Sequence, residues 1–153
     1  MTSTATEERP RTSPAPTVER PRAYSVLMGI AALAVLLQGL WAGVFLEHDG
    51  ERDAAGTWIE VHARGGEIAL GFAALATLYA MWRHRSRSDL WVGGLVFTAL
   101  LVLESYIGGL IVDQSKDTLT AIHVPLAMAI MGLAVWLPLR ASRRLEPKST
   151  PRG

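Results

Sequence analysis

Four long apolar segments, separated by short polar stretches, dominate the pattern of this chain. They cover approximately residues 24–46, 58–82, 90–112 and 119–139. At about 1.5 Å of rise per residue, a helix over each segment would cross a hydrocarbon core of roughly 30 Å. The pattern therefore predicts an all-α membrane protein, with a four-transmembrane-helix bundle over residues 23–140.

The two ends of the chain have a different composition. Residues 1–22 are rich in Thr, Ser, Pro, Arg and Glu, and residues 141–153 are basic and poor in apolar side chains. Neither stretch can bury enough apolar area to fold, so we expect two disordered tails. The acidic residues Glu7, Glu8 and Glu19 and the long first apolar segment argue against a cleavable signal peptide, and we expect the first span to be retained.

Lys and Arg residues fall almost wholly on one side of the predicted spans. On that side are Arg9, Arg11, Arg20, Arg22, Arg83, Arg85, Arg87, Arg140, Arg143, Arg144, Lys148 and Arg152. Only Arg52, Arg64 and Lys116 flank the opposite ends. The positive-inside rule therefore predicts that both termini are cytoplasmic, in a multi-pass protein of a prokaryotic plasma membrane. Because topology and the lipid bilayer account for the basic clusters, we expect no nucleic-acid partner.

The composition of the chain excludes several kinds of chemical site. Half of the 153 residues are apolar. A soluble domain of this size would lack the polar surface to cover four such long apolar segments. The chain has no cysteine. Disulfides, iron–sulfur clusters and thiolate metal sites are therefore excluded within this chain. We expect His48 and His84 to be solvated loop residues, and Tyr24 to be an anchor at the membrane interface.

Spans one and two resemble spans three and four as a unit. The aligned pairs are Leu37 with Leu103, Gln38 with Glu104, Gly43 with Gly109, His62 with His123, Gly71 with Gly132 and Ala73 with Ala134. Few of the aligned residues are identical. The resemblance rests mainly on the matching positions of these residues along the two copies. We predict a two-helix internal repeat, an arrangement that commonly places a site on the repeat axis.

His62 and His123 occupy the same register of this repeat, near the starts of spans two and four. Both spans run from outside to inside, so the two histidines share a depth. Across a bundle diagonal, their imidazoles would face each other in the outer leaflet. An ionisable side chain in a membrane is costly and is a functional candidate by default. The pattern predicts a heme b with His62 and His123 as axial iron ligands; the alternative is that both histidines hydrogen-bond neighbouring helices.

Three charged residues near these histidines have further predicted roles. Arg64 is placed to bind heme propionates, and its alternative role is to reach lipid phosphate. We expect Glu67 and Glu104 to lie inside the bundle, where they would form inter-helix hydrogen bonds, with a proton relay or support of a ligand as alternatives. Small residues would leave room for a macrocycle, and these are Gly65, Gly66, Ala69, Gly71, Gly108 and Gly109.

Residues 103–112 (LESYIGGLIV), a short polar loop and residues 119–129 (LTAIHVPLAMA) resemble one half of the heme A synthase family. That family has eight spans in two four-helix halves, each holding heme between histidines on its second and fourth helices. The chain resembles a single half over about residues 24–140, with His62 and His123 at the ligand positions. The resemblance implies either an oxidoreductase that modifies heme or a protein that takes part in the assembly of cytochrome oxidase.

The chain also departs from the family pattern. Ile59 and Ala63 stand where the family has a glutamate and an arginine around its first histidine, and the cysteine pair of many bacterial members is missing. No catalytic residue is therefore predicted. Binding both a cofactor heme and a substrate heme would require two chains to pair as a homodimer. The alternatives are a bis-histidine cytochrome b that carries electrons from quinol to a respiratory-chain partner, and a cofactor-free membrane assembly subunit.

Overall fold

The computed structural model describes residues 21–47 and 52–142, and this part of the chain is helical without strands. The helices are α1 (Arg22–Leu46), α2 (Arg52–Arg83), α3 (Ser88–Gln114) and α4 (Thr120–Ser142), and a 3-10 turn at Asp117–Leu119 leads into α4. All four helices are long and apolar enough to cross a membrane. The prediction of an all-α protein with four helices that are long and apolar enough to span a membrane is confirmed.

The helix bounds differ most from the prediction at α2. This helix begins at Arg52, inside the stretch predicted to be a polar loop, whereas its apolar span begins only at Gly56. Apolar length measures the part of a helix that fits the hydrocarbon core, and polar residues can continue the same helix beyond it. The predicted disordered tails lie largely outside the described residues, which exclude 1–20 and 143–153.

The four helices form a ring in which each packs against two others. Helix α1 packs on α2 and α4, and α3 packs on the same two helices. No Cα pair lies within 8 Å across either diagonal, α1 to α3 or α2 to α4. The α2 and α4 helices, which carry His62 and His123, therefore face each other diagonally.

Each helix contributes one buried stripe with the spacing i, i+4, i+7, i+11, which is the spacing of one helical face. The stripes consist of Tyr24, Met28, Ala31 and Val35; Ala69, Ala73, Ala76 and Ala80; Leu90, Gly94, Phe97 and Leu101; and Ile130, Ala134, Leu137 and Ala141. They occupy the first halves of α1 and α3 and the second halves of α2 and α4. Because neighbouring helices are antiparallel, all four stripes meet at one end of the bundle, which we call the closed end.

The other end, which we call the open end, comprises the described residues 36–47, 56–68 and 102–129. None of these residues is buried to the extent of the four stripes. The bundle is thus filled with side chains at one end and left loosely packed at the other. His62 and His123 both lie at the open end.

Polar contacts at the closed end join the helices to one another. The hydroxyl of Thr77 donates to the Ala73 carbonyl at 2.8 Å and lies 3.3 Å from the hydroxyl of Thr98. A side chain at Gly94 would place its Cβ 2.5 Å from the Thr77 hydroxyl oxygen, so α2 and α3 approach closely only because residue 94 is glycine. Tyr24 is fully buried here, which makes its predicted role as an interfacial anchor wrong.

Helix α3 ends at the open end in a left-handed residue. Ser115 has a φ of 51°, and the following residue, Lys116, donates its backbone N–H to the Leu110 carbonyl at 3.3 Å. A left-handed residue after the last helical turn is a common way to satisfy terminal carbonyls, although glycine usually supplies it. This turn lets the short connection reach the start of α4, five residues after Ser115.

Candidate functional site

The rings of His62 and His123 meet at the open end of the bundle. Their centroids are 6.4 Å apart and their planes are inclined by 62°. Because the α2 and α4 backbones do not approach within 8 Å, the two side chains alone span this diagonal. The structure therefore brings together, at one level, the two histidines that the sequence singled out.

His62 is held by helix α1. Its Nδ1 lies 3.2 Å from the backbone carbonyl oxygen of Gln38, and Phe45 contacts the ring edge-on at a centroid distance of 5.6 Å. A carbonyl oxygen can only accept, so Nδ1 is the nitrogen that carries the proton and donates. In the neutral ring, Nε2 then keeps a free lone pair.

His123 is held by helix α3. Its Nδ1 lies 3.0 Å from Oε1 of Glu104, and the side chains of His123 and Glu104 are only 20% and 13% exposed. The angles at this contact fall outside hydrogen-bond geometry, so Nδ1 and both carboxyl oxygens are buried without a hydrogen-bond partner among the described residues. The ring also rests on α3 itself, since a Cβ at Gly108 would lie 3.4 Å from its Cε1.

The two histidines therefore share one mode of support. Each directs Nδ1 towards the preceding helix in the chain, His62 towards the Gln38 carbonyl and His123 towards the Glu104 carboxyl group. Metal-binding histidines commonly donate their second nitrogen to a carbonyl or a carboxylate, which fixes the tautomer and the ring orientation. The arrangement can coordinate one metal from two sides, with a neutral acceptor behind His62 and a carboxyl group behind His123.

A bare metal ion would find too few protein ligands here. Within the part of the chain that the structure describes, no group of three or more His, Cys, Asp or Glu side chains is arranged to hold a metal ion. Structural zinc sites are four-coordinate, and catalytic zinc sites use three protein ligands. The histidine pair therefore suits a metal that brings further ligands with it.

The other charged residues of α2 lie away from the pair. Arg64 is on an exposed face, where Nη1 contacts Glu67 at 2.9 Å and Nη2 contacts Glu60 at 3.9 Å. The prediction that Glu67 lies inside the bundle is wrong, because its side chain is 64% exposed. Five residues after His62, it is rotated by about 140° around the helix, and Arg64 one turn earlier offsets its charge.

The small residues predicted to leave room for a macrocycle have different environments. Gly108 lies beside His123, whereas the side chain of Gln38 fills the space at Gly65. Ala69 belongs to the closed-end core, and Gly71 is exposed. Only Gly108 among these four therefore borders the histidine pair directly.

The remaining histidines lie elsewhere. His84 is half-buried near the closed end, with its ring 5.7 Å from that of Tyr79, so the prediction that it is a solvated residue is wrong. His48 lies outside the described residues.

Sequence reasoning missed two contributors to the site, the Gln38 carbonyl and the Phe45 ring. The alignment of Gln38 with Glu104 did mark the helix position that supports each histidine, but a backbone acceptor has no sequence signature. The functional interpretation rests on these residues and their geometry. Comparisons with protein-family models, with curated proteins and with solved structures find no match to this chain.

Proposed function

We propose that this protein binds one b-type heme between His62 and His123, in the outer leaflet of a prokaryotic plasma membrane. The observation that carries the proposal is the 6.4 Å separation of the two ring centroids. A metal–imidazole bond is about 2 Å long, and each nitrogen lies roughly 1 Å from its ring centre, so two axial imidazoles have centroids about 6 Å apart.

The chemistry of the donor set also supports heme. The macrocycle supplies four ligands to its iron, so two histidine ligands are enough. When bound, heme would supply one-electron redox chemistry, and the chain would hold and orient it through the contacts of Gln38 and Glu104 with the two Nδ1 atoms.

The proposal also includes a two-helix internal repeat and an orientation with both termini in the cytoplasm. Corresponding residues of the two predicted repeats support the two histidines, Gln38 for His62 and Glu104 for His123. The buried stripes of α1 and α3 also begin at aligned positions, Tyr24 and Leu90. The excess of Arg near the closed end supports cytoplasmic termini, and hence an outer position for the histidines. In that orientation Arg64 would lie near the outer boundary. Its guanidinium is paired with Glu67 at 2.9 Å and with Glu60 at 3.9 Å, so as the proposed partner of heme propionates it would have to leave both carboxylates.

Electron transfer is the activity that this geometry favours. His62 and His123 would together supply the two ligands that the macrocycle does not, and two histidine ligands suit a carrier of electrons. The partner would then be a donor or acceptor of the respiratory chain.

Heme modification or cytochrome oxidase assembly is the second proposal, and the resemblance to half of the heme A synthase family supports it. A substrate heme would need a second site, which a homodimer would supply. Ile59 and Ala63 replace the glutamate and arginine of the family pattern, so no residue of this chain is assigned to catalysis.

Visible spectra of protein purified after heme-replete expression test the site. We expect a Soret band, with the α band of six-coordinate low-spin heme after reduction by dithionite. His62→Ala and His123→Ala should each lose this spectrum, whereas the control His84→Ala should retain it because that ring lies near the other end. Absence of a Soret band in the wild type, or a wild-type spectrum in both variants, would exclude the site.

The two activities are separated by supplying heme O under turnover conditions. Hydroxylated or formyl products would support heme modification. If no product forms while the bound heme accepts electrons from a quinol, electron transfer is supported.

A further inference from the structure

A partly open groove of about 530 Å³ lies between α1 and α2 at the open end. Its apolar sides include Leu37 and Ile68, its aromatic wall is Trp41, and its polar rim includes Glu60 and Arg64. Neither histidine lines it. Pockets of this size accommodate small organic molecules, and this one combines an apolar interior with a few polar groups, as ligand sites generally do.

The charges at the rim select against anionic ligands. One guanidinium, that of Arg64, faces two carboxylates, at 2.9 Å from Glu67 and 3.9 Å from Glu60. The excess charge is negative, so a phosphate or carboxylate would be repelled. Glu60 is the more loosely held of the two acids and keeps lone pairs that can accept hydrogen bonds from a neutral donor.

The walls favour a flat aromatic ring. Trp41 stacks on Trp58 with a centroid distance of 5.7 Å and an interplanar angle of 19°, which holds its indole in place. Gln38 also lines the groove. Its Nε2 donates to the Ala34 carbonyl at 3.2 Å, which fixes the amide orientation, while Oε1 is buried without a hydrogen-bond partner among the described residues.

We infer that this groove binds a hydroquinone. Such a molecule is neutral and aromatic, and its two hydroxyl groups donate hydrogen bonds. One hydroxyl donates to the carboxylate of Glu60, the ring lies beside Trp41, and an apolar tail follows Leu37 and Ile68 into the bilayer. The site goes beyond heme binding and does not depend on it, although Gln38 lines the groove and also supports His62 through its carbonyl.

Calorimetric titration of the full chain in phosphatidylcholine nanodiscs tests the inference. The probe is tetramethylhydroquinone under anaerobic conditions, with protein-free nanodiscs as the blank. The control ligand is its dimethyl ether, which keeps the ring but has no hydroxyl donor. We expect saturable binding of the hydroquinone and at least about tenfold weaker binding of the ether, because a hydrogen bond to a charged group is lost. Equal affinities, or heat no greater than the blank, would overturn the proposal.

Two variants locate the binding. Glu60→Ala should weaken hydroquinone binding about tenfold for the same reason. The matched control Glu67→Ala also removes an acid paired with Arg64, but it lies outside the groove lining, and its affinity should stay within about twofold of the wild type. Equal weakening by both variants would show a general charge effect and overturn the assignment of Glu60.

A third variant and a lipid control complete the test. Ala34→Phe fills the groove and should abolish binding; unchanged affinity would show that the ligand binds elsewhere. If phosphatidylglycerol in the nanodiscs displaces the hydroquinone, the groove takes lipid headgroups and the proposal fails. Heme absorbance is recorded on the same samples, so loss of the groove site and loss of the heme site are read separately.

Discussion

Tyr24 and Leu90 meet across the diagonal between α1 and α3, where the Tyr24 hydroxyl donates a hydrogen bond of 3.3 Å to the Leu90 carbonyl oxygen. This contact lies at the closed end of the bundle. His62 and His123 span the other diagonal at the open end, with 6.4 Å between their ring centroids. Structural contacts thus hold one end together, and the candidate site lies at the other.

The first prediction concerns this tyrosine. Tyr24→Phe removes a buried hydrogen bond with little change of shape and should lower the free energy of unfolding by about 1 kcal/mol. Denaturation in detergent, followed by circular dichroism, measures the change. Tyr106→Phe is the matched control, since Tyr106 is 64% exposed and should change little. Equal effects of the two substitutions would contradict the role of the Tyr24 hydroxyl.

The second prediction concerns the close approach of α2 and α3. Gly94→Ala would drive a methyl group against the hydrogen-bonded Thr77 hydroxyl and should destabilise the bundle by roughly 1–3 kcal/mol. Gly29→Ala is the control, because a Cβ there meets nothing within 4 Å. The control should be neutral or stabilising by up to about 1 kcal/mol, as alanine favours helix. The same unfolding assay would disprove the packing argument if both variants gained stability.

The third prediction concerns the left-handed residue after α3. Ser115→Gly should raise stability by roughly 1 kcal/mol, because glycine adopts a positive φ without the steric cost that serine bears. Gln114→Gly, one residue earlier and inside the helix, should instead lower stability by roughly 0.5–1 kcal/mol. Opposite signs at adjacent positions are the result to look for in thermal unfolding, and a loss at both would contradict the interpretation.

The four helices could be predicted from the sequence because the length of an apolar segment is a direct measure of a membrane span. The start of α2 could not be predicted in this way, since residues such as Arg52 extend the helix into the polar region. The burial of Tyr24 was not predicted either, for a related reason. A tyrosine at the end of an apolar segment suits an interface, and only the packing of α1 against the other helices reveals that it is buried.

Part of the candidate site could also be predicted from the sequence. Register alone brought His62 and His123 to one level, because a repeat places equivalent residues at equivalent heights. The acceptor behind His62 was not predictable, since the Gln38 carbonyl is backbone and belongs to a different helix. Glu67 was misjudged because an acid in an apolar segment suggests the interior, whereas Arg64 one turn away allows it to remain exposed.

The last prediction tests the unequal support of the two histidines. In heme-loaded protein, the Glu104 carboxylate beside His123 would favour the oxidised iron, because a negative partner raises the basicity of the ligand. Glu104→Gln keeps the shape and removes the charge, so the midpoint potential should rise by roughly 60 mV, about a tenfold change in the one-electron equilibrium constant.

Potentiometric titration of the reduced α band measures this rise in potential. Gln38→Ala is the control at the aligned position. The substitution retains the backbone carbonyl that supports His62, so the potential should hardly move. An unchanged potential in Glu104→Gln, or equal shifts in both variants, would mean that the two histidines are supported alike and that the carboxyl group of Glu104 plays no electrostatic role at the iron.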